Sequence, residues 1–389
     1  MNKKIFLIPK DDLVLYPPTI SLIKVMLKLG LKVVCIGTFS DFEGKRNLES
    51  LGVEFVPIYR KLKNRSRFRV VNWMVIIYRA LKYKRDMNKY LKDANIGEDD
   101  LIWFVYSNII AYIQKYIEKY NYVIHFYEFE DFSLKGKSRL LHPQYDVYRF
   151  FTKAKALIHC EYNRALITNG LYGLKTNPFI LPNKPYESED TNIETPKEVK
   201  LIVEEIRKKV EGKKVILYQG IFNSTERRLE EFCEAIALLP DNYVFLAMGG
   251  QGGYFEDIKR RYTSEKIIYI PFIKPPHHLL ITQMAHYGIL TYHPAKKTYV
   301  GVLNPLYCAP NKIFEFGKYG IPMVANDVPG LKLIFESYHC GQTISYPITA
   351  EKIKDTILAM DNDFENLSRG ARKYYDSVDL EQIVKEIIS

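Results

Sequence analysis

Lys312 and Glu315 stand three residues apart in the stretch Asn304–Gly330, NPLYCAPNKIFEFGKYGIPMVANDVPG. That spacing puts both side chains on one face of a helix, with Tyr319 a turn further on and Ile313, Phe316 and Gly320 turned inward. The helix is predicted to open at Pro310 and close at Gly320, because proline suits the first helical position and glycine the position just past the end. Ala309 carries no oxygen to cap it, so backbone N–H groups and the positive end of the dipole are left for another acceptor. An anion is the natural one. A cation beside an open helix N-terminus suits a diphosphate, and a carboxylate one turn deeper suits sugar hydroxyls. The competing reading is an ordinary amphipathic helix carrying a solvated Lys–Glu pair.

The elements that must position these residues are legible on both sides. Apolar strands Gly288–Tyr292 and Pro322–Ala325 bracket the helix. The second half of the chain opens with strand Lys214–Gln219, the loop GIFNSTERR and a helix with an inward stripe of Leu229, Phe232, Cys233, Ile236 and Leu239. Asn223 with Glu226 three residues later reads as a capping box. Arg227 and Arg228 then fall on a first turn, an unfavourable place for cations unless an anion is near. Strand Val244–Met248 leads into GGQGGY, whose glycines lack the order of a dinucleotide fingerprint and either permit close backbone approach or make a turn. Ile267–Ile270 is the next strand. His277 and His278 open the following helix and point apart on it, which argues against paired metal ligation. Beyond the central stretch come helices Leu331–Ser337 and Glu351–Met360 around strand Gln342–Tyr346, then a last helix near Leu380–Ile388. The only D-x-D, Asp361-Asn362-Asp363, falls between late helices, so no metal or other cofactor is expected.

The first half alternates strands Lys4–Ile8, Lys32–Gly37, Val53–Ile58, Leu101–Tyr106, Tyr122–Phe126, Ala156–Cys160 and Phe179–Leu181 with helical stretches such as Thr19–Leu29. This repetition implies a parallel sheet with helices on both faces. Tyr122–Asp131, YVIHFYEFED, turns acidic at its carboxyl end, where ligands of such sheets sit; His125, Tyr127, Glu128, Glu130 and Asp131 are candidates there. Lys184–Lys200 has the composition of a linker.

A chain of 389 residues suits two domains, and no apolar run approaches the ~20 residues of a membrane span or the core of a signal peptide. Five scattered cysteines exclude a disulfide framework and fit a reducing cytoplasm. The net charge of +11 is concentrated: Arg60–Asp93 holds twelve Lys/Arg against two Asp, or +10. An anionic surface partner is implied, with membrane lipid, nucleic acid and acidic polymer all open on charge alone. Within this segment Asn72–Leu91 reads as a basic helix with Trp73, Ile76, Ile77, Ala80 and Leu81 as its apolar stripe, either packed on the sheet or lying on a membrane. No nucleic-acid reader motif accompanies it, so nucleic acid is not an expected partner.

The central stretch resembles the donor-binding signature of retaining family-4 glycosyltransferases of the GT-B fold, in particular bacterial surface-polysaccharide enzymes with a P-N-K-x-F-E-[YF] run, a following G-x-P and an alternating apolar strand. CEYNR (Cys160–Arg164) and LPNKP (Leu181–Pro185) resemble family segments too. The resemblance implies two Rossmann-like α/β domains with parallel sheets facing across a cleft: an acceptor domain over 1–185, a donor domain over 186–370, and a helix within 371–389 crossing back. It implies a nucleotide sugar as substrate, a glycan or lipid-linked acceptor, and a cytoplasmic enzyme peripheral to the membrane. Glu315 falls on the second carboxylate of the Glu-x7-Glu motif, which holds the ribose, while the first falls on Tyr307, a departure that touches its neighbours Asn304 and Cys308. Arg227 matches a diphosphate-binding arginine, Arg228 replaces a small residue, and Pro271–Ile273 matches the turn whose main chain, at Phe272 and Ile273, reads the base. Gly220, Gly249, Pro310 and Asn311 complete the donor contacts it implies, with catalysis assigned to Arg227, Lys312 and Glu315. A non-catalytic GT-B partner subunit and a nucleotide-sugar epimerase are the alternatives on the same fold.

Overall fold

A computed structural model describes residues 3–9, 12–13, 16–39, 41–58, 69–130, 145–186, 194–250, 252–295 and 299–389. Asp131, residues 60–68 of the basic segment and the side chain of Trp73 lie outside the described residues. The chain divides into two compact units, one of Met1–Ser188 with Asp379–Ser389 and one of Glu189–Val378.

Unit 1 runs β1 (Lys4–Pro9), α1 (Pro17–Lys28), β2 (Lys32–Gly37), α2 (Phe42–Ser50), β3 (Glu54–Pro57), α3 (Arg69–Asp93), β4 (Leu101–Val105), α4 (Ile110–Ile117), β5 (Tyr122–Phe126), α5 (Val147–Lys153), β6 (Ala156–His159), α6 (Tyr162–Tyr172) and β7 (Phe179–Ile180). Its seven strands are ordered β3-β2-β1-β4-β5-β6-β7, all parallel. β4 and β5 are buried at every position, as strands covered on both faces must be.

Unit 2 runs α7 (Lys197–Val210), β8 (Lys214–Gly220), α8 (Glu230–Leu238), β9 (Tyr243–Gly249), α9 (Gly253–Arg261), β10 (Ile267–Pro271), α10 (Leu279–Thr282), β11 (Tyr287–Leu290), α11 (Tyr299–Leu306), α12 (Asn311–Lys318), β12 (Met323–Asn326), α13 (Pro329–Tyr338), β13 (Gly341–Ile344), α14 (Ala350–Asp361) and α15 (Phe364–Asp376). Its strands are ordered β10-β9-β8-β11-β12-β13, again all parallel. Alternate residues of β8 feed opposite cores: Val215 and Leu217 one, Ile216 and Tyr218 the other. α7 starts inside the stretch read as linker, because Val203, Ile206 and Val210 bury a helical stripe that continues past it. The last helix, α16 (Leu380–Ile388), packs on α1 within unit 1. Asp379 caps it by accepting from Gln382 N, and its final carbonyl, on Ile388, accepts from Lys3 Nζ at 2.5 Å and Lys155 Nζ at 3.3 Å. Among the described residues no helix is long and apolar enough to cross a membrane.

Asp361, at the end of α14, ties three strands of unit 2 together at their first residues. It accepts from Tyr287 Oη at 2.6 Å and from Tyr243 Oη, and pairs with Lys214 Nζ at 2.8 Å. Burial works against its charge, but the hydrogen bonds from Lys214, Tyr243 and Tyr287 outweigh it and hold the carboxyl below its ordinary value. Such a group stabilises the fold above the ordinary carboxylate range and loses its contribution as pH falls through the folded value. Asp361→Asn is therefore expected to cost about 1–3 kcal/mol at neutral pH in urea denaturation. The deficit should shrink as the pH drops below about 4.

Candidate functional site

In unit 2 the strand order reverses between β8 and β11, and an open α/β sheet receives ligands at the carboxyl ends of such strands. Gly220 ends β8 there with φ +144°, a conformation that side-chain-bearing residues rarely adopt. A Cβ on Gly220 would lie 2.6 Å from Lys312 Cε and 2.8 Å from its Nζ, so the ammonium rests directly on this backbone. Gly249, ending β9, is needed for the same closeness: its Cβ would fall 2.1 Å from the Gly220 carbonyl oxygen. Past β11, Tyr292 is buried and carries the Arg227 guanidinium 3.8 Å from its ring centroid.

α12 brings the charged pair to this place. Its inner face, Ile313, Phe314, Phe316 and Gly317, is buried, with the Phe316 ring against Gly288 of β11 and Phe314 stacked on Tyr374 of α15. Asn311 is its first residue, not Pro310, which occupies the N-cap with φ −76° and ψ 140°. The cap has no side-chain hydrogen bond, so the N-terminal donors stay available. The outer face holds Lys312 and Glu315, and neither is a solvated surface residue. Glu315 accepts from Gln219 Nε2 at 2.6 Å and lies 3.3 Å from His278 Nε2, with a side chain only 14% exposed. Thr282 Oγ1 in turn donates to Gln219 Oε1 at 2.7 Å, fixing the amide so that its NH2 faces the carboxylate. Burial alone would raise the carboxyl, but His278, Lys312 and Gln219 together pull it below its ordinary value. Lys312 is lowered, by burial first and by Arg227 as well, while Glu315 opposes the shift. Among the described residues its ammonium makes no hydrogen bond or ion pair.

Sequence reasoning placed Arg227 and Arg228 on a helix, and the structure places them ahead of one. Asn223 Oδ1 accepts from Thr225 N and Glu226 N in a local turn that bridges to Arg227, and α8 starts only at Glu230. Arg228 pairs with Glu231 at 3.2 Å. Phe272 is exposed beyond β10, whereas the Ile273 side chain is in the core, leaving only its main chain for a ligand. Asn304 lies in α11 and Tyr307 just after it, both half-buried, with the Tyr307 backbone 2.9 Å from where a Gly330 Cβ would be. Gln219, Thr282 and His278 were missed as ligands of the site; a glutamine ending an apolar strand is the one signal that could have found them.

No protein-family model matches the chain, and no curated protein matches its sequence. Solved structures do. Sucrose-phosphate synthase from Thermosynechococcus elongatus matches with a TM-score of 0.64 at 13% identity, over 99% of this chain and 97% of that one. A glycosyltransferase from Rickettsia africae matches at 0.63 and 13%, over 99% and 96%. HepE from Anabaena, solved in complex with UDP, matches at 0.62 and 15%, over 99% and 98%. The fold is GT-B.

In the first GT-B unit two expected acceptor residues are turned away from solvent. His125 and Tyr127 lie on one side of a doubly covered strand and its extension, so period-two spacing sends both into the layer beneath α1. Tyr127 Oη meets Thr19 Oγ1 at 2.9 Å. His125 lies edge-on to Trp103, has no hydrogen-bond partner at either ring nitrogen among the described residues, and is lowered to about 3 by burial and then by His159. Glu128 is exposed. The carboxylate that the end of this sheet does organise is Glu130, which accepts from Ser107 N at 2.7 Å and from Ser107 Oγ, itself bonded by Tyr145 Oη at 2.6 Å. Tyr106, beside Ser107, adopts φ 70°, a strained value for a residue with a side chain. The Asp361 and Asp363 carboxylates are committed elsewhere, Asp361 as above and Asp363 to His339 at 2.5 Å and Asn366.

Gly220→Ala tests the close approach directly. It adds backbone strain and drives a methyl into Lys312, so it is expected to lower stability by about 1–3 kcal/mol in urea denaturation. Equal stability would mean that Lys312 moves freely off this backbone.

Proposed function

We propose that the protein is a glycosyltransferase that moves a sugar from a nucleotide-sugar donor, held by unit 2, to a glycan or lipid-linked acceptor received by unit 1, with retention and without a metal ion. The observation that carries this reading is the Lys312 ammonium beside Gly220, without a hydrogen bond or ion pair among the described residues, near Arg227 and the N-terminus of α12, which has no side-chain cap. Two cations that raise each other's energy at a strand switch point are stabilised when a diphosphate arrives between them. As the glycosidic bond breaks, negative charge grows on that diphosphate, and fixed cations plus a helix terminus stabilise it where it develops. Glu315, held ionised and oriented by Gln219 and His278, suits a pair of ribose hydroxyls. The Phe272–Ile273 turn offers main-chain groups to a base, and HepE, alike in fold, has been solved with UDP-glucose. Retention rests on the likeness of the PNKIFEF run to the retaining family-4 signature. On the acceptor side, Glu130 with Ser107 and Tyr145 replaces His125 and Tyr127 as the group positioned to meet hydroxyls.

Glu315→Gln is expected to weaken UDP and UDP-sugar binding by about 1.5–3 kcal/mol while leaving the melting temperature near wild type. Calorimetric titration over a panel of nucleotides reads this, and an unchanged affinity would return Glu315 to a structural role. Arg227→Ala and Lys312→Ala should each lower kcat more than they raise KM for donor, since the charge they meet grows chiefly in the transition state. Steady-state kinetics with chelator present checks both halves: a loss confined to KM makes them ground-state binders, and inhibition by chelator removes the metal-free reading.

A further inference from the structure

The two halves of α3 differ in what they cover. Toward its end Met87 and Leu91 are fully buried, and Tyr83 packs edge-on to Tyr112 of α4, so this half is anchored in unit 1. Among the described side chains of the stripe read for the other half, Ala80 is half-buried while Ile77 and Leu81 are exposed, Leu81 to 62%. With them Val70, Val71, Met74 and Tyr78 are also exposed, Val70 to 71% and Met74 to 66%. At 100° per residue these six side chains fall within an arc of roughly 120°, a continuous apolar strip. Along the same side the second half presents Lys84, Arg85, Lys89 and Lys92, all exposed. The helix carries seven Lys/Arg against two Asp, net +5, and the sequence Arg60–Phe68 ahead of it adds five more Lys/Arg.

We propose that this face of α3 is a docking surface for a bilayer containing acidic lipid. An apolar strip continuing into a cationic one is what an element lying in a membrane interface needs, with apolar side chains at the acyl boundary and basic ones at the phosphates. Tyr78 has the amphipathic ring that suits this depth. Pairing with a second copy through the same face would set two helices of net +5 against each other, which disfavours that occupant. The inference adds a partner to the transferase reading and does not depend on it.

The test is co-sedimentation of the full chain with phosphatidylcholine vesicles, with and without phosphatidylglycerol. The wild type should bind only the acidic vesicles, and less as salt rises. Met74→Gln with Leu81→Gln leaves the net charge unchanged and should weaken binding about tenfold or more. Lys84→Gln with Arg85→Gln and Lys89→Gln should remove the preference for acidic lipid. Melting temperatures and UDP titrations, run on every variant, are expected to match wild type, so that a fault in the donor site shows separately. A wild type indifferent to acidic vesicles at low salt overturns the proposal, as does an apolar double variant that binds as wild type. So does a lipid-free dimer that the double variant abolishes.

Discussion

Keeping a lysine and a glutamate largely out of water at the ends of buried strands is costly unless their charges are met, and unit 2 is organised around that requirement. Glu315 is met from within, by an amide that Thr282 orients and by the His278 imidazole at the N-cap of α10. Lys312 is not. It lies on a glycine that could be nothing else, close enough to Arg227 for the two charges to disfavour each other. Two cations thus share the neighbourhood of one carboxylate, an arrangement that costs stability at this point.

Where sequence and structure agree, the warrant was periodic. The β5 and α16 bounds read from pattern are those observed, and the stripe Leu229, Phe232, Cys233, Ile236, Leu239 is buried throughout. The Lys312–Glu315 face was legible from spacing, but its environment was not, because Gln219 comes from a strand 96 residues earlier in the chain. Asn223 misled for a local reason: a side-chain oxygen accepting from the next two or three N–H groups makes an Asx turn and a helix cap alike. His125 and Tyr127 misled for a tertiary one, since alternation tells which residues share a face and not whether that face meets solvent.

The two strand switch points are chemically unlike. That of the second sheet gathers cations and a clamped carboxylate. The end of the first sheet gathers tyrosines, with Tyr16, Tyr106 and Tyr127 in mutual ring contact beside the Ser107–Glu130–Tyr145 network. The first end is thus aromatic around one hydrogen-bonded carboxylate and the second cationic around another, so the two differ in charge as well as in residue type.

The position of α16 bears on how the chain acquires its fold. Unit 2 is one unbroken stretch, 189–378, while unit 1 is completed by 379–389, whose Leu380 and Val384 pack at α1 and whose Ile388 carbonyl is held by Lys3 and Lys155. During synthesis, then, the second unit has all of its residues before the first does. The first sheet must wait, with the α1 side still open, for a helix that follows the whole of the second unit in the chain.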